Sequence, residues 1–381
     1  MAAADSREAG TRRDKTEVGR LYQLIGSRQS YFTQKMQAAM QWYFPTEHVF
    51  VPKSAEIREE IELRSGTHQV PVMITPENWC IADSTPLLTL LDARMVEARF
   101  YPAGGVGLLS ALLEEYFDEW SARWCIGTRW MAGEENAIAV VASMQRGEGI
   151  PANVTEGQIK TLLDSVPDEA MKAGLQTFAW GKRAARAIGV ESDTQVENSE
   201  QELLRIFTAF EQHLAAGNAF VFGDAPTSVD CVMMGGLRAH FLHDPHPQSL
   251  LQGLPRVAEW THSLMETTID DSATVAAAPI SADNLSPFIE LVLKEMGGPF
   301  KRFVQGNGAA LAKGDKAFVI EDVYGEDVSY LCRPYVEQSR RMLIEKLRVH
   351  GARCSADESA EFAKILGTAG LGDVYGPAAS L

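Results

Sequence analysis

The chain has 381 residues, 45% of them hydrophobic, and a formal net charge of −16. That length accommodates two domains and a smaller third element, and the apolar share describes an ordinary globular core. So acidic a balance argues against a nucleic-acid-binding protein, whose affinity comes largely from Lys and Arg neutralising phosphates.

Residues 1–17, MAAADSREAGTRRDKTE, are polar and of mixed charge and read as a disordered start. They lack the apolar stretch of a secretory signal, and no apolar run approaches the roughly 18 residues that span a bilayer. Cys80, Cys125, Cys231, Cys332 and Cys354 are scattered, odd in number and without a CxxC pair, the usage of a reducing compartment. A cytoplasmic location with no membrane partner is therefore expected.

A first unit is expected at residues 18–100. GRLYQLI reads as a strand, residues 26–29 as a turn, and SYFTQKMQAAMQWYF as a helix with Phe32, Met36, Ala39 and Tyr43 on one face, stopped by Pro45. HVFVP is a second strand, and residues 57–64 suit a short exposed helix or turn. PVMIT and NWCIA, two short runs either side of Pro76–Glu77, can only form an antiparallel hairpin. Asp83 or Ser84 caps the following helix, with Pro86 in its first turn.

From residue 101 to about 275 the pattern is all-helical. GVGLLSALLEEYFDEWSARWCIGTRW predicts one long helix, and ENAIAVVASMQRG, EGQIKTLLDSV, DEAMKAGLQTFAWGKRAARAIG and SEQELLRIFTAFEQHLAAG predict more. PTSVDCVMMGGLRAHFL opens on a capping box, with Asp230 reaching back to the N–H of Thr227. LPRVAEWTHSLME closes the bundle, and DDSATVAAAPISADN reads as a linker. Residues 276–381 form a mostly helical extension around a strand-like KAFVIEDV.

The order βαβ, connector, ββ, α, with Val70-Pro71 at the mouth of the third strand, describes a thioredoxin-like fold. There the X-Pro bond is cis at a small thermodynamic penalty. Proline donates no ladder hydrogen bond, and the kink turns the N–H and C=O of Val70 outward, where an extended peptide-like ligand can pair with them.

GTHQVPVMITPENWCIADSTPLLTLLD resembles the glutathione-binding half of the glutathione transferase superfamily. FVFGDAPTSVDCVMMGGLRA followed by LPRVAEWTHSLME resembles that superfamily's helical second domain. The resemblance covers roughly residues 20–266 and implies glutathione as co-substrate, no metal, and a homodimer. By that resemblance Val70 pairs with the cysteinyl part of glutathione beside Pro71 and Gln69, while Asp83 and Ser84 hold its γ-glutamyl end. Ser30, at the first helix N-terminus, would hydrogen-bond the sulfur and favour its thiolate. A plain N-cap is an equal reading of Ser30. Thr33, Ser27 and Tyr31 are alternative donors, and Tyr22 reads as core, although some members of the superfamily use a tyrosine near there. Lys35 or Arg28 is a candidate for the glycyl carboxylate, but a solvated Lys on a helix is the commoner case.

Other features receive structural readings. His240, His243 and His246 read as a solvated helix end rather than a metal site, because Pro245 and Pro247 interrupt their spacing. GGVGLLS and GNGAALAKG are turns. Tyr116, Trp120, Trp124 and Trp130 are core by default, although the first three can wall an apolar acceptor pocket. The expectation is an enzyme that ionises glutathione for attack on a small hydrophobic electrophile. A non-catalytic binding or assembly module and a glutathione-dependent isomerase or ether-cleaving enzyme are the alternatives. Tyr31 after the donor position and the long extension depart from the family pattern.

Overall fold

The computed structural model describes residues 21–133, 136–137, 139–141, 168–267, 269 and 280–376. The disordered start read at residues 1–17, the helix read in EGQIKTLLDSV, most of ENAIAVVASMQRG and most of the linker lie outside the described residues.

Strand β1 (Tyr22–Gly26), helix α1 (Tyr31–Tyr43) and strand β2 (His48–Pro52) form a parallel βαβ unit. Helix α2 (Ala55–Ser65) connects it to the antiparallel hairpin of β3 (Val72–Ile74) and β4 (Cys80–Ala82), and α3 (Ser84–Asp92) follows. The sheet order is β2-β1-β3-β4. Alternation along the strands divides two cores. Leu24 and Met73 face the main core, whereas Ile25, Val72 and Ile74 pack with Ile61 of α2 on the opposite face. This is the thioredoxin-like arrangement.

An all-helical region follows: α4 (Gly105–Glu119), α5 (Ala122–Trp130), α6 (Asp168–Ala187), α7 (Asp193–Ala215), α8 (Ser228–Gly236), α9 (Pro245–Leu250) and α10 (Pro255–His262). A π-helical turn, Leu237–Phe241, extends α8. The single long helix expected over residues 105–130 is two helices. The Phe117 carbonyl, which Ser121 N–H would reach in an unbroken helix, accepts instead from the Tyr31 hydroxyl at 3.2 Å and from the Ser121 hydroxyl.

The extension contributes α11 (Pro287–Glu295), a π-helical turn (Met296–Phe300), α12 (Lys301–Lys313), a hairpin of β5 (Ala317–Val323) and β6 (Glu326–Leu331), then α13 (Pro334–Gly351), α14 (Ala356–Thr368) and α15 (Gly372–Tyr375). Only one strand was expected there. Its partner is joined through Tyr324 and Gly325, both at positive φ (52° and 96°), the backbone of a tight two-residue hairpin turn. Helices α13 and α14 pack on α4, so all fifteen residues of α4 are buried. One apolar core runs continuously from Tyr22 to Tyr375.

Among the described residues no helix is long and apolar enough to cross a membrane, and all five cysteines are free.

Candidate functional site

Three loops meet at one end of the sheet because of strand register. Ile25 of β1 lies opposite Val72 of β3, and Val72 lies opposite Ala82 of β4. That row places the turn before Ser30, the Val70–Pro71 link and the Asp83–Ser84 pair side by side. The Val70–Pro71 bond is cis. Ladder pairing starts at Val72, and neither the N–H nor the C=O of Val70 takes a hydrogen bond from the described residues. Gln69 is exposed, with its N–H on the Thr67 hydroxyl at 3.1 Å.

Sequence reasoning did not single out Lys53. It follows β2, and its ammonium donates to the His68 carbonyl at 2.6 Å and to Glu62 at 3.0 Å. It thereby ties the segment leading into Val70 to the end of β2. The contact joins residues fifteen apart, which no local motif announces.

Ser30 is half-buried and is the N-cap of α1, its Oγ accepting the Thr33 N–H at 3.3 Å. That contact uses a lone pair and leaves the hydroxyl proton to donate elsewhere, so capping and thiol binding are compatible. Thr33 is fully buried, its hydroxyl accepting the Ser27 N–H at 3.4 Å, and it lies so close under Gly26 that a Cβ there would collide with it. Tyr31 is buried and committed to Phe117 and Ser121, and burial pushes its phenol well up. Tyr22 is core, with its hydroxyl accepting from Arg94 at 2.7 Å.

Asp83 caps α3 from a positive φ of 78°. Its Oδ1 accepts the Thr85 N–H at 3.1 Å, and its Oδ2 accepts the hydroxyl of Tyr335, from the first turn of α13, at 2.6 Å. Ser84, the first residue of α3, is buried. A helix N-terminus with free N–H groups beside a carboxylate suits a ligand group bearing both an anionic and a cationic end.

Lys35 is neither solvated nor a ligand for a carboxylate of a guest. It is fully buried, with its ammonium 2.6 Å from both Glu114 Oε1 and Asp118 Oδ2. Arg28 is exposed. Glu114, Glu115, Asp118 and Glu119 line α4 one turn apart, all buried. Burial raises Asp118 to about 7 although Lys35 pulls it down. Burial also lifts Glu114, but Lys35 and Lys346 outweigh it and leave that carboxyl low. Glu115 is pushed well up by burial and by Glu119. Burial alone would lower Lys35, but Asp118 and then Glu114 outweigh it and keep the ammonium charged between them.

Tyr116, Trp120 and Trp124 take the core reading rather than walling an acceptor pocket. Glu202 is wholly buried and accepts from Trp120 and Trp124 (both 2.8 Å), Tyr116 (3.1 Å), Tyr324 (3.0 Å) and Arg123 (2.6 Å). These rings therefore anchor a carboxylate in the core. Trp130 is buried in a smaller cluster.

The histidines do not converge, and His240 is not solvated. It is buried 3.3 Å from Asp244, and burial together with Arg129 lowers it to about 4. His246 bonds Glu200 at 2.7 Å. Arg129 joins Asp244 to the Gln29 carbonyl at 3.0 Å, bracing the turn before Ser30.

The capping box forms. Asp230 Oδ2 accepts the Thr227 N–H at 2.8 Å, and Oδ1 accepts the Val221 N–H at 2.9 Å. Residues 167–267, which contain this box, match the family model of the glutathione S-transferase C-terminal domain. The chain carries a glutathione transferase helical domain. It follows a thioredoxin-like domain, the order expected for that superfamily.

No curated protein matches the chain. Among solved structures, a glutathione S-transferase from Rhodospirillum rubrum F11 is similar at 14% identity over 68% of this chain and 97% of its own, with a TM-score of 0.39. One from Methylobacterium radiotolerans, in complex with glutathione sulfonate, is 14% identical over 68% and 99%, TM-score 0.35. A glutathione transferase from Phanerochaete chrysosporium is 12% identical over 64% and 96%, TM-score 0.38.

Proposed function

We propose that the protein binds glutathione at the sheet end bounded by Ser30, Val70 and Asp83–Ser84 and activates its thiol for attack on a small hydrophobic electrophile. The observation that carries this reading is the N–H and C=O of Val70, unpaired among the described residues and set by register between the α1 and α3 N-termini. An extended tripeptide can add to those groups as a short strand. Its sulfur then lies towards the α1 N-terminus and the Ser30 hydroxyl, and its γ-glutamyl end towards Asp83 and Ser84. The hydroxyl and the helix dipole both favour thiolate over thiol. The transferase-type helical domain supports the same reading, and glutathione-dependent isomerisation or ether cleavage would use the same thiolate.

A binding module without turnover is the second reading. It is favoured by the commitment of Tyr116, Trp120 and Trp124 to Glu202, which removes them from an acceptor wall. A homodimer would need faces other than α4, since that helix is buried within one chain.

Calorimetry with glutathione, followed by an electrophile screen, separates these readings. Binding with turnover supports the enzyme, and binding without turnover supports the module. Absence of binding overturns both.

A further inference from the structure

We propose that the C-terminal extension supplies a residue of the ligand site: Tyr335 positions the Asp83 carboxylate to receive the ammonium group of a γ-glutamyl ligand. The inference rests on the glutathione reading above and names a part of that site which lies 252 residues away in the chain.

The geometry begins with how α13 is anchored. The Arg333 N–H donates to Asn307 Oδ1 at 2.7 Å, and Asn307, fully buried, returns a bond to the Arg333 carbonyl at 3.0 Å. Pro334 opens the helix, fixing its first turn. Further along, the Ser339 hydroxyl donates to Glu115 at 2.7 Å, and the Arg333 guanidinium lies 3.4 Å from Glu119. These contacts hold α13 on α4 at both points and so fix the Tyr335 backbone, while the residue itself is 37% exposed. Its hydroxyl meets Asp83 Oδ2 at 2.6 Å.

The chemistry of that contact suits positioning rather than blockade. Asp83 sits at a positive φ that an L-residue seldom adopts, and its two oxygens are oriented by Thr85 N–H and Tyr335 O–H. A phenol donates without bringing a positive charge, so the carboxylate keeps its full attraction for a cation. A carboxylate offers about four lone-pair sites, which leaves room for an ammonium beside both donors. Partial desolvation of this 37%-exposed residue and the Asp83 contact both push the Tyr335 phenol up, so the donor persists through the neutral range. Arg333 meanwhile compensates Glu119, a buried carboxylate that Asp83 repels.

The test compares glutathione with its des-amino analogue, which lacks only the γ-glutamyl ammonium, on the full chain. Tyr335→Phe should weaken glutathione roughly tenfold, the loss expected for one hydrogen bond to a charged group. Binding of the des-amino analogue should change less than about twofold, because it makes no use of Asp83. In an Asp83→Asn background, Tyr335→Phe should have no further effect on glutathione. Equal weakening of both ligands would show a merely structural role. Unchanged or tighter glutathione binding by Tyr335→Phe would show an idle or blocking contact. Either result overturns the proposal. A wild-type chain that binds neither ligand refutes the glutathione reading itself, and this inference with it. If Tyr335→Phe lowers the melting temperature, the Asp83→Asn cycle alone still decides.

Discussion

The substitution Lys35→Met tests the physical account most severely. The Lys35 ammonium is 2.6 Å from carboxylates on both Glu114 and Asp118, with no solvent exposure. At an effective dielectric near 20, each contact is worth about 6 kcal/mol of bare Coulomb attraction, most of it offset by desolvation. Removing the cation leaves two buried carboxylates that keep, among the described residues, Tyr101, Thr85 and the more distant Lys346 (3.9 Å from Glu114) as partners. Breaking a buried pair in this way typically costs about 3–5 kcal/mol. The loss should depend on pH. In the intact chain Asp118 already titrates near 7, raised first by burial and held down by Lys35. A carboxyl raised above its unfolded value stabilises most fully below about pH 4, and that contribution is lost as pH rises through its folded value. Without Lys35 the carboxyl rises further and stays protonated in mildly acidic solution, which spares part of the penalty there. Urea denaturation should therefore show a loss of about 3–5 kcal/mol at pH 8 and a smaller one at pH 5.5. A loss under about 1 kcal/mol at pH 8, or an equal loss at both pH values, would refute the reasoning. The triple variant Lys35→Met, Glu114→Gln, Asp118→Asn should recover most of the stability.

Other expectations follow from the same contacts. Ser30→Ala should raise the titration point of bound glutathione, followed by thiolate absorbance, and slow conjugation about a hundredfold; an unchanged titration would assign the donor elsewhere. The same variant should lose about 1 kcal/mol of stability through its cap. Glu202→Gln disturbs five donors at once and leaves Arg123 buried without its counter-charge, so about 3 kcal/mol should be lost, with a shift in tryptophan emission. Asp230→Ala removes the acceptor for Thr227 and Val221 N–H groups and should cost about 2–3 kcal/mol by chemical denaturation; a neutral result would deny the box its role in the helical domain.

What the chain announces locally, it announces clearly. Val70–Pro71 marks the strand mouth, Asp83–Ser84 the start of α3, and Thr227 with Asp230 the start of α8, because turns, caps and hairpins arise among residues a few positions apart. The strand at Leu24 and Ile25 was local too, but which core each faces came only with the sheet. Periodicity nevertheless joined α4 to α5, since the interruption comes from a tyrosine on α1 that captures a carbonyl about ninety residues later. It also missed β6, which buries only Val328 and Tyr330 between the exposed Asp327, Ser329 and Leu331, too short an alternation to stand out. Charge and aromatic patterns identify residue types but not their partners. Lys35 looked solvated until folding enclosed it between Glu114 and Asp118, and Trp120 and Trp124, read as core, gave no sign that Glu202 would take their indole N–H groups. The placement of Tyr335 on Asp83 likewise depends on α13 lying along α4. Such long-range pairings are decided by packing, where desolvation forces each buried polar group to find whatever partner the tertiary arrangement brings near.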